Sequence, residues 1–472
     1  MPSQVEDVKK RQAAWDAIAL KPPQRWLGEH YQRRLRSVYR QLVPRGARVL
    51  ELGCGNGDLL AALAPGYGLG IDFSANMIAQ ARARHPDLCF RQGDVHAFPQ
   101  EESFDFVILS DLVNDLWDVQ QVLERIHPVC CSQTRVILNT YSRLWQLPLG
   151  LAQVLSLANP VKDQNWLTVE DLSGLLYLAG FEVLRTSQEY MLPLPVPGMD
   201  GLFNRILVRL WPFYHLALAN LLVARPLPTP GGERPSVSVI VPARNEAGNI
   251  PAIFERVPEL GRETELVFVE GNSSDGSYNA IAAEIERHPE RLSRLYRQSG
   301  KGKGDAVRLG FERAQGEVLM ILDADLTVPP EDLPRFLQAL TSGKAEFVNG
   351  VRLVYPMEKE AMRFANLVGN KFFTYAFSWL LGQPIKDTLC GTKVLWKRDY
   401  ERIAANRSYF GDFDPFGDFD LLFGAARLNL KILDLPVHYG ERTYGTTNIQ
   451  RWRHGWLLLR MVAFAARKIK FT

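Results

Sequence analysis

The chain has 472 residues, of which 46% are hydrophobic and 23% are charged, and its formal net charge at pH 7 is +3. This length exceeds what one hydrophobic core commonly organises, so we expect two large domains. The composition excludes a disordered or fibrous chain. A charge so close to neutral, without a groove pattern of basic and aromatic residues, argues against a nucleic-acid partner.

The first half of the chain alternates short apolar runs with helical stretches. The apolar runs are residues 48–52, 67–71, 88–91, 105–109 and 135–139, and two further predicted strands follow at 180–184 and 220–226. This alternation is typical of a parallel sheet covered by helices on both faces, and it predicts an α/β, Rossmann-like fold. In such folds the ligand binds at the carboxyl ends of the strands.

A glycine-rich turn follows the first apolar run. It begins with Glu51 and contains Gly53, Gly55 and Gly57. Glycine permits a tight turn and lets backbone N–H groups approach a ligand at the start of a helix. Such a turn would serve a dinucleotide equally well, so the glycines alone do not identify the cofactor.

Two further acids, Asp72 and Asp94, close the second and third predicted strands. An acid about 20 residues after the turn is placed to accept hydrogen bonds from ribose hydroxyls. The three acids and the turn together resemble the class I S-adenosylmethionine-dependent methyltransferases. The resemblance implies that Glu51 lies near the methionine moiety of S-adenosylmethionine, that Asp72 binds the ribose and that Asp94 approaches the adenine. It also implies that the three glycines form the cofactor loop.

The methyl acceptor is not identified by the sequence. Methyl transfer depends mainly on aligning the acceptor with the methyl group, so no particular base is required. The polar stretch 110–115 follows the fourth predicted strand. We expect it to line the acceptor side, with a helix cap or turn as the alternative interpretation.

The end of this half is predicted to be an apolar helix followed by a linker. Residues 202–218 form the predicted helix, in which Arg205 and Arg209 are four residues apart; packing on the sheet and membrane contact are both compatible with it. Proline and glycine cluster at 228–235, which we interpret as a linker. The predicted domains are therefore residues 1–227 and 236–472.

The second half shows an apolar strand followed by a polar turn three times. The first strand leads to Pro242, Arg244, Asn245 and Glu246, the second leads to Glu270, and the third leads to Asp323 and Asp325. The two aspartates are two residues apart, so their carboxylates lie on one side of an extended chain. Because like charges so close repel one another, the pair predicts a divalent cation, Mg²⁺ or Mn²⁺, that takes its remaining ligands from a diphosphate.

Together with the Gly-Lys-Gly-Asp sequence around Lys303, these turns resemble glycosyltransferase family 2 of the inverting GT-A type. The similarity is greatest to the dolichyl- or polyprenyl-phosphate sugar transferase branch. The resemblance implies that the first two turns line the nucleoside pocket of a nucleotide-sugar donor, that Lys303 approaches the donor, and that the two aspartates hold the metal and diphosphate. It also implies that residues 386–393 face the acceptor and that Arg442 binds a phosphate, to which an arginine can donate two hydrogen bonds.

One position departs from the pattern of that family. Many members carry two successive acids and then glycine after the second strand, whereas this chain has Glu270, Gly271 and Asn272. The difference leaves both the sugar and the choice between a uridine and a guanosine donor open.

A catalytic base is needed only for some acceptors. A hydroxyl must lose its proton during attack, whereas a phosphate is already ionised near neutral pH. If a base is required, Asp387 and Asp418 are the candidates. Helix capping or ion pairing within a loop would explain either residue equally well.

The C-terminal stretch predicts a basic amphipathic helix. Its arginines, Arg453, Arg460 and Arg467, are spaced by seven, and Trp452, Trp456, Leu459 and Ala463 form an apolar face beside them. Contact with a membrane surface and packing on the catalytic domain both remain open.

Targeting features favour a cytoplasmic protein. The polar N-terminus does not resemble a signal peptide, no transmembrane helix is predicted, and five cysteines without metal-ligand spacing indicate reduced thiols. Attachment to the inner face of a membrane is compatible with this assignment.

The main hypothesis is a bifunctional methyltransferase and glycosyltransferase that acts on a lipid-phosphate or related glycan acceptor. The alternative hypothesis is a glycosyltransferase with a noncatalytic, methyltransferase-like binding or scaffolding module.

Overall fold

The computed structural model describes residues 4–20, 26–98, 102–154, 164–193, 196, 198–228, 234–352, 364–407, 419–440, 442, 444 and 451–471. The side chains of residues 26–27, 364–370 and 451–455 are not described. The chain divides into two compact units, whose main parts are Met1–Leu227 and Pro228–Lys470. Most of the proline- and glycine-rich segment between them, residues 229–233, lies outside the described residues.

The first unit is built on a seven-stranded sheet. Its strands are β1 (Arg48–Leu52), β2 (Tyr67–Asp72), β3 (Cys89–Gln92), β4 (Phe104–Leu109), β5 (Cys130–Tyr141), β6 (Phe181–Glu189) and β7 (Ala219–Pro226). Their order is β3-β2-β1-β4-β5-β7-β6, and only β7 runs antiparallel to its neighbours. The carboxyl ends of β1 to β6 therefore share one edge of the sheet. The predicted Rossmann-like fold is confirmed.

Helices cover both faces of this sheet. They are α1 (Gln4–Ala19), α2 (Trp26–Leu42), α3 (Asp58–Ala62), α4 (Ala75–Arg84), α5 (Val119–Ile126), α6 (Gln146–Val154), α7 (Val169–Leu178) and the single turn α8 (Met199–Gly201). Apolar residues of α2, such as Leu35 and Tyr39, pack on one face of the sheet with Ile108 and Ile137. Residues of α5 and α7 pack on the other face.

The prediction of one continuous helix over 202–218 is wrong. The structure has a π-helical turn at Leu202–Ile206 and 3-10 turns at Leu207–Arg209 and Phe213–Leu216, with extended backbone at Leu210. The break has a local cause, because Pro212 has no backbone N–H to donate and disfavours helical geometry in the residue before it.

The second unit also has a seven-stranded sheet. Its strands are β8 (Ser236–Ala243), β9 (Glu263–Glu270), β10 (Ser293–Arg297), β11 (Val318–Ile321), β12 (Phe347–Val351), β13 (Lys393–Trp396) and β14 (Ile432–Pro436). Their order is β10-β9-β8-β11-β13-β12-β14, and β13 is antiparallel to both of its neighbours. The strands β8, β9 and β11 are parallel, so their carboxyl ends meet at one edge. This arrangement confirms the predicted GT-A type of α/β domain.

The helices of the second unit are α9 (Ile250–Arg256), α10 (Ser277–Arg287), α11 (Lys303–Arg313), α12 (Leu333–Thr341), α13 (Phe364–Leu381), α14 (Lys397–Ala405), α15 (Phe419–Arg427) and α16 (Arg451–Ala465). Along α16 the buried side chains include Leu458, Met461 and Ala465, whereas Trp456 and Leu459 are exposed. The face of α16 that packs therefore differs from the apolar face that the sequence predicts. Within the described part of the chain, no helix has both the length and the apolar character needed to cross a membrane.

Candidate active sites

The glycine-rich turn of the first unit joins β1 to α3. Gly53, Gly55 and Gly57 all have positive φ angles, of 70°, 50° and 77°. Glycine is favoured in this region because it lacks a Cβ atom. At Gly57 a Cβ atom would also lie 2.7 Å from Cε1 of Phe90 and closer still to Cζ of that ring. The turn therefore brings its backbone to the ligand edge in a conformation that other residues would strain.

Glu51 lies at this edge with only 2% of its surface exposed. Burial raises the pKa of its carboxyl well above the ordinary value; the backbone N–H of Leu60 acts in the opposite direction, and Asp72 adds to the rise. Its Oε2 atom has no hydrogen-bond partner among the described residues. This buried oxygen is available to accept a hydrogen bond from an ammonium group such as that of a methionine moiety.

Asp72 connects the loops that follow β1 and β2. Its Oδ2 accepts a hydrogen bond from the backbone N–H of Gly55 at 2.9 Å, and its Oδ1 accepts one from the N–H of Ser74 at 2.9 Å. Burial raises the pKa of this carboxyl, although both hydrogen bonds lower it. Each carboxylate oxygen has a second lone pair, which leaves room for a ribose hydroxyl.

Asp94 lies beyond the end of β3 and is partly exposed. It accepts hydrogen bonds from the backbone N–H of His96 at 2.9 Å and faces Nδ1 of His96 at 2.8 Å. The His96 hydrogen bond holds the pKa of Asp94 below its ordinary value, despite burial.

The sequence interpretation did not include α1, which contacts the loops at the same edge. Gln12 donates to the carbonyl of Phe73 at 2.9 Å, and Arg11 lies 2.7 Å from Oδ1 of Asp115. Asp16 accepts a hydrogen bond from the hydroxyl of Ser74. The helix is mostly polar, and its contacts in the structure, rather than its sequence, place it at this edge.

A buried polar network lies at the carboxyl ends of β4 and β5. Asp111 has a positive φ of 53° and accepts hydrogen bonds from Tyr31 at 2.7 Å, from Gln32 at 3.2 Å and from Asn139. Tyr39 in turn donates to Asn139 at 2.8 Å. Burial raises the pKa of Asp111 to about 6, against the lowering effect of these hydrogen bonds. Asp111 belongs to the stretch 110–115, which the sequence predicts to line the acceptor side.

In the second unit, hydrogen bonds join the loops after β8 and β9. Asn245 accepts a hydrogen bond from the N–H of Ser274 at 2.9 Å, and the N–H of Glu246 donates to the hydroxyl of Ser277 at 2.9 Å. Glu270, at the end of β9, accepts a hydrogen bond from the N–H of Ser273. The side chain of Glu270 therefore orders its own loop.

The predicted nucleoside-pocket residues differ in burial. Glu246 and Glu270 are buried, Pro242 is partly buried, and Arg244 and Asn245 are exposed. The structure brings all five to the carboxyl edge of β8 and β9, where a nucleoside would have access to the exposed side chains.

Asp323 and Asp325 follow β11 at that edge, and each faces a cation. Nζ of Lys303 lies 2.5 Å from Oδ1 of Asp323, and Nη2 of Arg442 lies 2.6 Å from Oδ2 of Asp325. Burial acts to raise the pKa of Asp323, but the nearby cations Lys303, Lys393 and Arg352 together hold this pKa below the ordinary value. The structure thus brings Lys303 and Arg442, which are far apart in the sequence, to the two predicted donor-binding aspartates.

The oxygen atoms available at this position fit a divalent cation. Two carboxylates with phosphate oxygens are ligands that Mg²⁺ and Mn²⁺ accept. Among the described residues no group of three or more His, Cys, Asp or Glu side chains forms a metal cluster. The backbone of Gly391 lies directly against Asp323 and Lys303, because a Cβ atom there would overlap both side chains.

Asp387, a predicted catalytic base, is buried beside Arg352. Nε of Arg352 donates to Oδ2 at 2.7 Å and Nη2 donates to Oδ1 at 2.9 Å. Burial would raise the pKa of Asp387, but Arg352 holds it below the ordinary value. The sequence interpretation did not include Arg352, although it directly follows β12 at a strand end. The other predicted base, Asp418, lies outside the described residues.

Comparisons with known proteins assign the two units to two families. Residues 44–185 match the family model described as a methyltransferase domain, and residues 238–403 match glycosyl transferase family 2. The chain is therefore a transferase that joins a methyltransferase domain to a glycosyltransferase family 2 domain.

Individual proteins are similar to each part. A dolichol-phosphate mannosyltransferase of Pyrococcus furiosus is 27% identical over 248 residues, which cover 50% of this chain and 67% of that protein. A mannosyltransferase structure from Pyrobaculum calidifontis, in complex with GDP-Man and Mn²⁺, is 23% identical with a TM-score of 0.34 and covers 48% of this chain and 61% of the other. An S-adenosylmethionine-dependent methyltransferase structure from Mesorhizobium loti is 23% identical with a TM-score of 0.32. The match covers 40% of this chain and 96% of the other.

Proposed function

We propose that this protein is a bifunctional enzyme with two transfer reactions. The second unit transfers a sugar, with inversion, from a nucleotide-sugar to a polyprenyl phosphate or a related lipid or glycan acceptor. The first unit methylates an acceptor with S-adenosylmethionine. The observation that supports this proposal best is that each sheet brings several of the predicted ligand-binding residues to one carboxyl edge.

In the sugar transfer, an acceptor oxygen attacks the anomeric carbon from the face opposite the diphosphate, and the bond from that carbon to the diphosphate breaks. Lys303 and Arg442 lie beside the aspartates that would hold the metal, where they can neutralise the charge that develops on the diphosphate. When bound by Asp323 and Asp325, Mg²⁺ or Mn²⁺ would supply further positive charge to the leaving group.

A phosphate acceptor requires no base, because it is already ionised near neutral pH. The contacts of Asp387 support this choice. Its bidentate ion pair with Arg352 and its lowered pKa favour a positioning role over proton abstraction. The exposed Trp456 and Leu459 on α16 would suit contact with a lipid surface.

In the methyl transfer, an acceptor atom attacks the methyl carbon and the carbon–sulfur bond breaks, with its electron pair going to sulfur. Asp72 and the glycine-rich turn would hold the cofactor. If the acceptor is a hydroxyl, Asp111 is placed at the end of β4 to receive its proton, and its pKa of about 6 allows it to be ionised at neutral pH.

Labelled donors test the sugar transfer. The full-length protein would be incubated with a panel of labelled GDP- and UDP-sugars and undecaprenyl phosphate, with MnCl₂ or with EDTA. We expect label in the lipid phase with Mn²⁺ and a loss of at least about 100-fold with EDTA or with Asp323→Asn. No transfer to the lipid phosphate from any donor would remove this acceptor class.

A further inference from the structure

A group of arginines surrounds the end of β6 in the first unit. Glu189, the last residue of this strand, is 3% exposed. Nη1 of Arg209 lies 2.6 Å from its Oε1, and Nη2 donates to its Oε2 at 2.7 Å. Nη2 of Arg34, on α2, lies 3.9 Å from the same carboxylate. One buried carboxylate therefore faces two guanidinium groups.

Arg185 adds a third positive charge near the same carboxylate. It is four residues before Glu189 on β6, so both side chains project from the same face of the strand. Its Nε atom is buried and has no hydrogen-bond partner among the described residues. Burial and the charge of Arg209 together lower the pKa of Arg185 to about 10, while Glu189 acts to raise it.

Further charged side chains lie near this group. Among the described residues, Arg205 and Asp200 also act on Arg34, so the charged groups named here are four arginines and two acids. Asp200 is itself engaged, because His30 lies 2.9 Å from its Oδ1 and Asn204 donates to the same atom at 2.8 Å. Burying a charge is costly unless an opposite charge pairs with it. An anion placed among the arginines would provide that pairing.

Aromatic contacts link the arginine group to the predicted methyl-acceptor side. Tyr31 and Arg34 are one turn apart on α2, which separates them by about 5 Å along the helix axis. Tyr31 donates to Asp111 at 2.7 Å and packs edge-on against Tyr190 at a centroid distance of 5.2 Å. Tyr190 directly follows Glu189, is 1% exposed, and its hydroxyl has no hydrogen-bond partner in the described part of the chain.

We propose that the methyl acceptor of the first unit is an anion whose phosphate or carboxylate group binds Arg185, Arg34 and Arg209 while its methyl-accepting atom faces Asp111 and Tyr31. This inference rests on the proposed methyltransferase function and adds a substrate class to it. Arginine suits the role because it donates paired hydrogen bonds to planar and tetrahedral oxyanions.

Hydrogen–deuterium exchange on the full-length protein tests the site locally. Inorganic phosphate and acetate serve as separate probes, against chloride at equal ionic strength. We expect phosphate to slow exchange at least twofold in residues 184–190 and 199–209 of the wild type. Protection by phosphate alone assigns a phosphate-bearing acceptor, whereas protection by acetate too assigns a carboxylate-tolerant site.

Three variants provide the controls. Arg185→Met should lose the protection, Arg185→Lys should retain part of it, and Arg33→Gln should keep it, because Arg33 is exposed on the same helix and pairs with Glu29. Arg185→Met should also raise the melting temperature in chloride, since it removes one of three guanidinium charges that share the single carboxylate of Glu189. Absence of protection by either anion in the wild type, equal protection in Arg185→Met, or a lower melting temperature for that variant would overturn the proposal.

The same experiment separates this proposal from the methyltransferase function. S-adenosylmethionine should protect residues 51–57 in the wild type and in all three variants. If it protects none of them in the wild type, the methyltransferase function fails, whatever the phosphate result. If it protects them and neither phosphate nor acetate has an effect at β6, only the anionic acceptor fails.

Discussion

Replacing Asp72 by Asn tests the cofactor site of the first unit most directly. The carboxylate accepts two backbone hydrogen bonds, from Gly55 and Ser74, each at 2.9 Å. An amide of the same size can accept only one of them, and its NH₂ group then faces the other N–H donor. The amide also replaces a carboxylate oxygen that would accept a hydrogen bond from a ribose hydroxyl of the cofactor. Loss of a hydrogen bond to a buried charged group costs about 1–3 kcal/mol, and tenfold in affinity corresponds to about 1.4 kcal/mol. We therefore expect S-adenosylmethionine to bind about 5- to 150-fold more weakly.

Titration calorimetry with the full-length protein measures this effect. Asp87→Asn is the matched control, because Asp87 is exposed between α4 and β3 in the same unit and should bind the cofactor as the wild type does. Sugar transfer should be unchanged in both variants. Equal affinities for the wild type and Asp72→Asn would refute the assigned role of Asp72, and absence of binding by the wild type would favour a noncatalytic scaffold.

Two further predictions concern the reaction centres. Gly391→Ala should reduce sugar transfer at least about 100-fold, because the added methyl group displaces Asp323 and Lys303. Gly440→Ala is the control and should leave sugar transfer unchanged, because its added Cβ would meet only the carbonyl oxygen of Thr327, at 3.9 Å. Equal loss in both variants would contradict this prediction. If the methyl acceptor is a hydroxyl, the rate of methyl transfer should rise with pH through about 6, since burial raises the pKa of Asp111 to about 6 and only its ionised form accepts a proton. A profile that Asp111→Asn does not alter would exclude that role.

Much of each cofactor site could be predicted because its signals are local. The positive φ angles of Gly53, Gly55 and Gly57 belong to one turn, and glycine is the residue that adopts them without strain. Likewise Asp323 and Asp325 follow one apolar strand, which fixes both carboxylates at its end. Strand periodicity then places these ends at a common edge.

The contacts around those motifs could not be predicted in the same way. Arg352 pairs with Asp387 from 35 residues away, and α1 contacts loops about 60 to 100 residues further along the chain. Each of these side chains, taken in sequence, is an ordinary polar residue. The prediction of a continuous helix over 202–218 was wrong for the opposite reason. It relied on the overall apolar character of the segment and gave too little weight to the local effect of Pro212.

The sequence by itself determined two α/β folds, the glycine-rich turn and the paired aspartates, because backbone geometry and strand periodicity depend on neighbouring residues. Only the tertiary structure decided which charges meet. It placed Lys303 and Arg442 on the aspartates, and it gathered Arg34, Arg185 and Arg209 around Glu189. Pairing of this kind depends on the distance between side chains in space. That distance is set by the order of the strands and the packing of the helices, and it cannot be read from spacing along the chain.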